Sequence, residues 1–256
     1  MYYDSGFSEL GQTWSTPRLA FVKGHQSAQG VAAPVLIFGA GYDPSNDSPG
    51  KMADNQGRGV FIVDAQTKEL LWSATPNAGS SINKSIPELT ESMAAPITPL
   101  DSDFDGFVDR LYMADVGGSV WRADLVGSNK ADWRVSLFAA LGGTDNDDRR
   151  FFSEPVVARS FFEQVTIKQV NDERQVYRRQ RPFDAVLIGS GNRAHPAGLG
   201  VNDALFMLQD WQIMPLAPTD PSLTTIGMSQ LFDSTSDPFF AATDQQSFEE
   251  QEALLS

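Results

Sequence analysis

Three segments of the sequence follow one plan, and this repetition constrains the fold more than any single motif. Each segment opens with a small-x-Pro step and continues into an apolar run that ends near glycine or another small residue. Each then closes with a strand in which an aromatic residue stands three positions before a polar one. The openings are Ser15-Thr16-Pro17, Ala94-Ala95-Pro96 and Ser153-Glu154-Pro155; the apolar runs are 35–41, 111–114 and 185–191; the closing pairs are Phe61 and Asp64, Trp121 and Asp124, Phe206 and Gln209. Short strands and turn signals in a repeated unit predict an all-β fold.

The spacing of the repeats favours the blades of a β-propeller. Their prolines, Pro17, Pro96 and Pro155, lie 79 (96 − 17) and 59 (155 − 96) residues apart. These periods exceed that of a minimal blade, so we expect inserted loops. Blades bury their faces only against neighbouring blades, and three of them do not close a ring. The sequence therefore predicts a partial β-propeller over residues 1–236, followed by an acidic tail with a short helix over residues 237–256 that continues in a longer chain.

An acidic loop supplies the strongest chemical signal. Residues 101–109 read Asp-Ser-Asp-Phe-Asp-Gly-Phe-Val-Asp. Ca²⁺ takes six to eight oxygen ligands, and alternating carboxylates on a loop that turns at glycine are a usual source of them. The predicted ligands are the side chains of Asp101, Asp103, Asp105 and Asp109 and the backbone carbonyl of Phe107. A solvated acidic turn is the alternative interpretation.

The residues around this loop distinguish it from an EF-hand. The twelfth position holds Tyr112, where an EF-hand needs a bidentate Glu. Pro96 and Pro99 exclude an ordinary incoming helix. Residues 110–115 and 119–125 are predicted strands separated by a glycine turn. The loop is therefore expected to connect β-strands.

Two other acidic segments receive a less specific interpretation. The loop from Gly41 to Gly57 spaces its carboxylates too irregularly for one ion, so a solvated loop is expected. The cluster from Gly142 to Arg150 lacks the alternating order, and Arg149 and Arg150 can neutralise it locally. A second calcium site in that cluster is the alternative. The side chains concerned are Asp43, Asp47, Asp54 and Asn55 in the first segment, and Asp145, Asp147 and Asp148 in the second.

Two local patterns predict a hairpin and a helix. Residues 160–181 alternate charged and apolar side chains around a turn at 171–173, with basic residues on the return strand. That basic face is either a solvated edge that resists aggregation or a ligand-binding surface. Near the end, Ser247 and Glu250 form a capping-box pattern that predicts a short amphipathic helix. The basic residues are Arg174, Arg178, Arg179 and Arg181.

Charge and composition exclude several functional classes. With 19 Lys and Arg against 33 Asp and Glu, the net charge is −14, which disfavours binding to nucleic acid. Cysteine is absent, so disulfides and thiolate chemistry are excluded. No apolar run reaches transmembrane length, and the first six residues lack the features of a signal peptide. We therefore expect either a cytosolic protein or a piece of a longer exported one.

Motifs for catalysis are lacking. The histidines are His25 and His195, and neither stands in a nucleophile motif. Gly189-Ser190-Gly191-Asn192 matches such a motif only superficially, and His195 is expected to fix a loop by hydrogen bonding. We therefore predict that the chain is not an enzyme.

Several motifs together resemble the C-terminal propeller of the PilY family. They are Gln12 to Arg18, Asp54 to Ala65, the stretch from Ala95 through the 101–109 loop, Gly117 to Arg122, and Gly189 to Pro196. PilY proteins are type IV pilus biogenesis factors and tip-associated adhesins of Gram-negative bacteria. The resemblance implies that the 101–109 loop is a calcium site whose occupancy governs pilus extension and retraction, and hence twitching motility and surface attachment.

The same resemblance implies partners and a location. The partners would be pilus components, such as the minor pilins of a tip complex, and host or surface receptors. The location would be the pilus tip, the cell surface or the outer membrane, after export through the periplasm. An N-terminal adhesive region would belong to the whole protein.

A second family remains as an alternative. The strand ends with the pattern aromatic-x-x-Asp also resemble the eight-bladed quinoprotein dehydrogenases, which imply a pyrroloquinoline quinone cofactor. Those enzymes commonly hold the cofactor against a vicinal cysteine pair, and this sequence has no cysteine. The pilus-associated calcium-binding propeller is therefore the preferred prediction.

Overall fold

Each repeated segment forms one β-sheet. The computed structural model describes residues 6–47, 53–171 and 173–255. The first sheet contains β1 (Arg18–Ala20), β2 (Val35–Gly39), β3 (Val60–Asp64), β4 (Leu70–Thr75) and β5 (Asn83–Ser85). The second contains β6 (Thr98–Leu100), β7 (Arg110–Ala114), β8 (Ser119–Asp124) and β9 (Arg134–Ala140). The third contains β10 (Val156–Val170), β11 (Glu173–Gly189) and β12 (Leu205–Asp210).

The remaining elements are short. β13 (Ile226–Gly227) returns from beyond the third sheet and pairs in parallel with β9 of the second. One α-helix, α1 (Gln245–Leu255), follows it. Single 3-10 turns lie at Pro44–Asp47, Lys130–Asp132, Asp145–Asp147 and Met228–Gln230.

The all-β prediction is confirmed, with the repeats at equivalent places. The apolar runs form β2, β7 and the end of β11, and the closing strands are β3, β8 and β12. Within each sheet these strands are antiparallel neighbours. Within residues 6–47, 53–171 and 173–255 the three sheets do not form a closed ring, so the propeller arrangement stays a prediction.

The middle sheet is buried on both faces because its side chains alternate between two cores. In β7, Leu111 and Met113 lie in the core shared with the first sheet, whereas Tyr112 lies in the core shared with the third. In the first core, Trp72 of β4 meets Trp133 edge to face, with ring centroids 5.4 Å apart. The sheets are therefore stacked face to face, as the burial of repeated units requires.

Buried ion pairs join the second sheet to the third. Arg110 of β7 lies 2.6 Å from Asp184 of β11, measured from Nη2 to Oδ2. Arg122 of β8 lies 2.6 Å from Asp210 of β12 and 2.5 Å from Asp124 at the end of its own strand. All five side chains are 2% exposed or less. Each charge therefore depends on its partner for the solvation that water would otherwise give.

The segment that follows β12 completes these contacts with backbone carbonyls. The carbonyl of Gln212 accepts hydrogen bonds from Arg110 at 3.2 Å and from Arg122 at 2.7 Å. The carbonyl of Met214 accepts one from Arg122 at 2.9 Å. The backbone N–H of Leu216 donates to Asp124 at 3.0 Å. This segment is thereby fixed across the ends of β7 and β8.

The interpretation of the Gly41–Gly57 loop as solvated is wrong for Asp43 and Asp54, whereas Asp47 and Asn55 are exposed. Asp43 and Asp54 are buried. Asp43 accepts hydrogen bonds from the backbone of Ser45 and Asn55, and Asp54 accepts one from the backbone of Ser92. The two carboxylates therefore anchor the turns of the loop. Residues 48–52 of this loop lie outside the described residues.

The second acidic cluster is neutralised locally, as predicted. Arg149 lies 2.6 Å from Asp147, and Arg150 lies 3.0 Å from Asp148. Both guanidinium groups belong to buried residues, and Arg150 also donates to the carbonyl of Asn46 at 3.2 Å. This cluster is therefore tied to the acidic loop of the first segment.

The predicted hairpin is confirmed and is longer than expected. β10 and β11 pair in antiparallel register from Val156 opposite Leu187 to Val170 opposite Glu173. Asp172, in the predicted turn, lies outside the described residues. The basic face carries α1: Arg174 lies 2.7 Å from Glu249, and Arg178 lies 2.9 Å from Glu252. Acidic side chains of the same chain therefore meet part of the basic face.

The predicted C-terminal helix is confirmed, but its cap is wrong. The helix begins at Gln245, and Asp244 accepts a hydrogen bond from the backbone N–H of Ser247 at 2.8 Å. Ser247 accepts one in return from the backbone N–H of Asp244 at 3.1 Å. Asp is as good an N-cap as Ser, and here it lies one turn earlier. The described helices include none with the length and apolarity that crossing a bilayer demands.

Removing one guanidinium from the inter-sheet ion pairs should destabilise the fold strongly. In an Arg122→Leu variant, the buried carboxylates of Asp124 and Asp210 lose their cation, which typically costs about 3–5 kcal/mol. The free energy of unfolding from urea denaturation measures the loss.

The matched control is Arg179→Leu, because Arg179 is an exposed arginine on β11. It should change the free energy of unfolding by no more than about 0.5 kcal/mol. Equal losses in the two variants would contradict a structural role for the buried pairs.

Candidate metal centre

The 101–109 loop connects two strands of the middle sheet, as the sequence predicts. β6 ends at Leu100 and β7 begins at Arg110, and these two residues face each other in the antiparallel ladder. The backbone N–H of Asp109 donates to the carbonyl of Leu100 at 3.0 Å. The loop therefore has fixed ends, and its conformation is set by the residues between them.

Three of the predicted ligands converge. One carboxylate oxygen from each of Asp101, Asp103 and Asp109 lies within 4.8 Å of the others. Asp109 is buried, Asp101 is half-buried and Asp103 is exposed. The cluster therefore has one side in the protein and one side open to solvent.

Asp109 is the buried anchor of the cluster. Its Oδ2 accepts a hydrogen bond from the hydroxyl of Ser102 at 2.6 Å, and both of its oxygens lie 3.2 Å from the backbone nitrogen of Ser102. Burial raises the pKa of Asp109, while the hydrogen bonds from Ser102 lower it. A carboxylate in this position gains from a nearby cation, because a cation offsets its loss of water.

The backbone of the loop is organised around the carboxylate of Asp101. Gly106 donates its N–H to Oδ2 of Asp101 at 2.8 Å, and Asp105 donates its N–H to Oδ1 at 3.2 Å. Two residues at the tip have positive φ, Phe104 at 61° and Gly106 at 91°. The glycine predicted to permit the turn does so, and the first carboxylate of the motif closes it.

Asp105 is the predicted carboxylate ligand that does not join the cluster, and the carbonyl of Phe107 stays a predicted ligand. Its Oδ2 lies 2.6 Å from Nζ of Lys23, which also lies 3.7 Å from Oδ2 of Asp103. The hydrogen bond to Asp105 raises the pKa of Lys23, and the same bond lowers the pKa of Asp105. The other Oδ atom of Asp105 accepts the N–H of Phe107 at 3.0 Å. Asp105 is therefore paired with an ammonium group and lies outside the cluster of Asp101, Asp103 and Asp109.

Sequence reasoning missed Lys23 entirely. It stands in the connection between β1 and β2, 82 positions before Asp105 (105 − 23). No local motif marks it, because an isolated lysine near a strand end is common. Only the stacking of the first sheet on the second brings it to the loop.

The donor set fits a hard divalent cation. Ca²⁺ prefers oxygen ligands, and carboxylates from a flexible loop accommodate its varied geometry. Asp101, Asp103 and Asp109 would hold the ion, and Asp105 would join them if it left Lys23. Converging carboxylates repel one another, so a bound cation would stabilise the loop as it is arranged here.

The residues considered for catalysis have other partners. Nε2 of His25 lies 2.8 Å from Asp64, and Nε2 of His195 lies 3.0 Å from the carbonyl of Asp47. The hydroxyl of Ser190 donates to Asp203 at 2.7 Å. The prediction that His195 fixes a loop is confirmed by its contact, and Ser190 pairs with a carboxylate.

A side chain at position 106 should strain the loop. An added Cβ at Gly106 would meet no atom within 4 Å, so the cost comes from the φ of 91° alone. We expect Gly106→Ala to lower the free energy of unfolding by about 1–2 kcal/mol. Urea denaturation in a calcium-free buffer measures the change.

Gly191→Ala is the matched control, because its Cβ also meets nothing within 4 Å and its φ is not positive. It should leave the free energy of unfolding nearly unchanged. A Gly106→Ala variant as stable as this control would show that the loop adopts another backbone conformation in solution.

Comparison with curated proteins finds two relatives of one kind. The type IV pilus biogenesis factor PilY1 homolog of Xylella fastidiosa is 32% identical over 108 residues, which are 41% of this chain and 7% of that protein. The type IV pilus biogenesis factor PilY1 of Pseudomonas aeruginosa is 28% identical over 131 residues, which are 51% of this chain and 9% of that protein. The matched region is therefore less than a tenth of either relative. No protein-family model matches the chain.

Comparison with solved structures gives a match in fold. The crystal structure of the Pseudomonas aeruginosa PilY1 C-terminal domain superposes with a TM-score of 0.53 and 17% sequence identity. The superposition covers 86% of this chain and 41% of that one. Together the matches confirm the resemblance to the PilY family: the chain is similar in sequence to PilY1 pilus biogenesis factors and in fold to the C-terminal domain of one of them.

Proposed function

We propose that this chain is the calcium-binding β-propeller region of a type IV pilus assembly and tip adhesion protein. The observation that carries the proposal is the convergence of Asp101, Asp103 and Asp109 within 4.8 Å, in a loop between the half-buried β6 and the buried β7. The similarity to proteins named type IV pilus biogenesis factors supports the pilus role. Calcium is the proposed ligand, and the chain is proposed to have no catalytic activity.

The proposed mechanism starts from the charge of the loop. A bound Ca²⁺ neutralises the converging carboxylates and draws the loop to one conformation. Phe104 lies at the tip of the loop and is 87% exposed. A change in the loop conformation therefore moves an exposed aromatic side chain. An exposed aromatic residue of this kind suits contact with another protein. Occupancy of the site thereby switches a protein-binding surface.

The position of the loop connects it to the interior. Asp109 is followed directly by Arg110, the first residue of β7 and a member of the buried ion pairs with the third sheet. A change at Asp109 is therefore transmitted to β7 over one peptide unit. Residues 103–106, at the tip of the loop, are exposed to solvent, where a partner has access.

The proposed partners are components of the type IV pilus, such as the minor pilins of a tip complex, and host or surface receptors. The proposed location is the pilus tip or the cell surface, including the outer membrane, after export through the periplasm. There the protein would regulate pilus extension and retraction, and hence twitching motility and attachment. The acidic surface, with a net charge of −14, suits an environment rich in divalent cations.

Calorimetric titration with Ca²⁺ tests the site. We expect saturable binding at one site in the wild-type chain and a loss of that binding in an Asp103→Ala, Asp105→Ala double variant. Each substitution removes a carboxylate, and calcium affinity depends on the number of ligand charges.

The matched control is an Asp145→Ala, Asp147→Ala double variant, which removes the same charge from the second acidic cluster. It should bind Ca²⁺ as the wild type does. Binding lost only in this control would move the site to the second cluster. A folded wild-type chain that binds no Ca²⁺ would reduce the 101–109 loop to an acidic turn.

Twitching assays test the proposed regulation. The Asp103→Ala, Asp105→Ala substitutions, placed in the chromosomal gene, should alter the balance of surface pili and shrink the twitching zone. The amount of exported protein, measured by immunoblot, should stay the same, because exposed carboxylates contribute little to folding. The second-cluster double variant should twitch normally. If the Asp103→Ala, Asp105→Ala variant instead lowers the amount of exported protein and leaves pilus retraction unchanged, calcium has a purely structural role.

A further inference from the structure

Lys23 reaches the acidic loop from another sheet. It lies just beyond β1, and the carbonyl of Phe21, two residues before it, accepts the backbone N–H of Val108 at 2.8 Å. Gly24, with a φ of 79°, turns the chain directly after it. The first sheet is thus fixed against the loop by its backbone, and the lysine side chain is held near the carboxylates.

The ammonium group of Lys23 contacts two of the predicted calcium ligands. Its Nζ lies 2.6 Å from Oδ2 of Asp105 and 3.7 Å from Oδ2 of Asp103. The side chains of Lys23, Asp103 and Asp105 are 35%, 38% and 36% exposed. A side chain this exposed can leave its partners without the cost of a buried rearrangement. The ion pair is therefore weak, and a bound ion can displace the ammonium group from it.

We propose that Lys23 is an intramolecular competitor of the divalent cation and thereby sets the affinity of the site. This inference rests on the proposed function of the 101–109 loop. A cation that recruits Asp105 and takes Asp103 must displace the ammonium group from both. Lys23 also places a positive charge near the incoming divalent ion. The two positive charges repel each other, and this repulsion weakens binding of the ion.

The competition has a second consequence, for the cation-free protein. Lys23 neutralises part of the acidic loop when no ion is bound, so the loop remains folded at low calcium. The two cations are therefore alternatives: an ammonium group from the first sheet, or a divalent ion from solution. The site is therefore filled only at a higher calcium concentration than it would be without Lys23.

The test is a calorimetric Ca²⁺ titration of the whole chain and its Lys23→Met variant. Met keeps most of the length of the side chain and removes the charge. We expect the dissociation constant of the variant to fall about tenfold. The difference between variant and wild type should shrink at high salt, because the side chains are exposed and their charges are screened.

Two control variants separate the local charge from other effects. Lys23→Arg keeps the charge and should bind Ca²⁺ about as weakly as the wild type. Lys168→Met makes the same change in net charge on β10 of the third sheet and should leave the affinity unchanged.

Thermal unfolding adds a second readout. Without calcium, Lys23→Met should unfold at a lower temperature than the wild type, because Asp103 and Asp105 lose their counter-ion. With saturating calcium, this deficit should disappear, since binding to the folded state alone raises stability by linkage.

The outcomes separate this inference from the proposed function. Wild-type binding with an equal or weaker affinity in Lys23→Met overturns the competitor role and leaves the calcium site standing. It would mean that the lysine only organises the loop. Binding by neither protein overturns both proposals. Binding by Lys23→Met where the folded wild type shows none supports the competitor role and overturns calcium binding by the wild-type chain, since the lysine then excludes the ion.

Discussion

The structure depends on buried guanidinium groups in the middle sheet. Arg110 and Arg122 are fully buried and lie between the strands of the second and third sheets. Their carboxylate partners come mostly from the third sheet, and carbonyls beyond β12 supply further acceptors. Buried pairs of this kind add little stability over an apolar core, but they fix one arrangement because a mispaired charge is costly. They therefore set how the third sheet packs on the second.

The acidic loop is directly connected to these buried ion pairs. The Asp109–Arg110 step puts the buried anchor of the carboxylate cluster next to a residue of the inter-sheet pairs. On the other side, the loop contacts the first sheet through Val108 and Phe21 and through Lys23. The loop is thus part of the second sheet, contacts the segment after β1 of the first sheet, and is followed directly by Arg110, which pairs with the third sheet. Its tip is exposed. A change at the tip reaches the interior through few contacts.

The predictable features of this chain are those encoded by neighbouring residues. Strand positions, the hairpin, the C-terminal helix and the loop between strands all follow from local patterns of polarity, glycine and proline. The convergence of Asp101, Asp103 and Asp109 was predictable, because the loop itself sets their spacing; their role as calcium ligands stays a prediction. The pairing of Asp105 with Lys23 was not predicted, because Lys23 belongs to a distant segment. The burial of Asp54 was missed for the same reason. One of its hydrogen-bond donors, the backbone N–H of Ser92, lies 38 positions later in the sequence, after the last strand of the first sheet. Local sequence identifies a polar residue but not the distant group that satisfies it.

The acceptors of Arg122 have a consequence for synthesis on the ribosome. β8 is made well before residues 210–214, which supply Asp210 and the carbonyls of Gln212 and Met214. Until that stretch emerges, the guanidinium group has only Asp124 of its own strand, and the middle sheet lacks the parallel pairing of β13. Domains generally fold as units during synthesis, so the middle sheet cannot complete these polar contacts before residues 210–214 have been made. Completion of this face therefore requires docking between parts of the polypeptide that lie 88 positions apart in sequence.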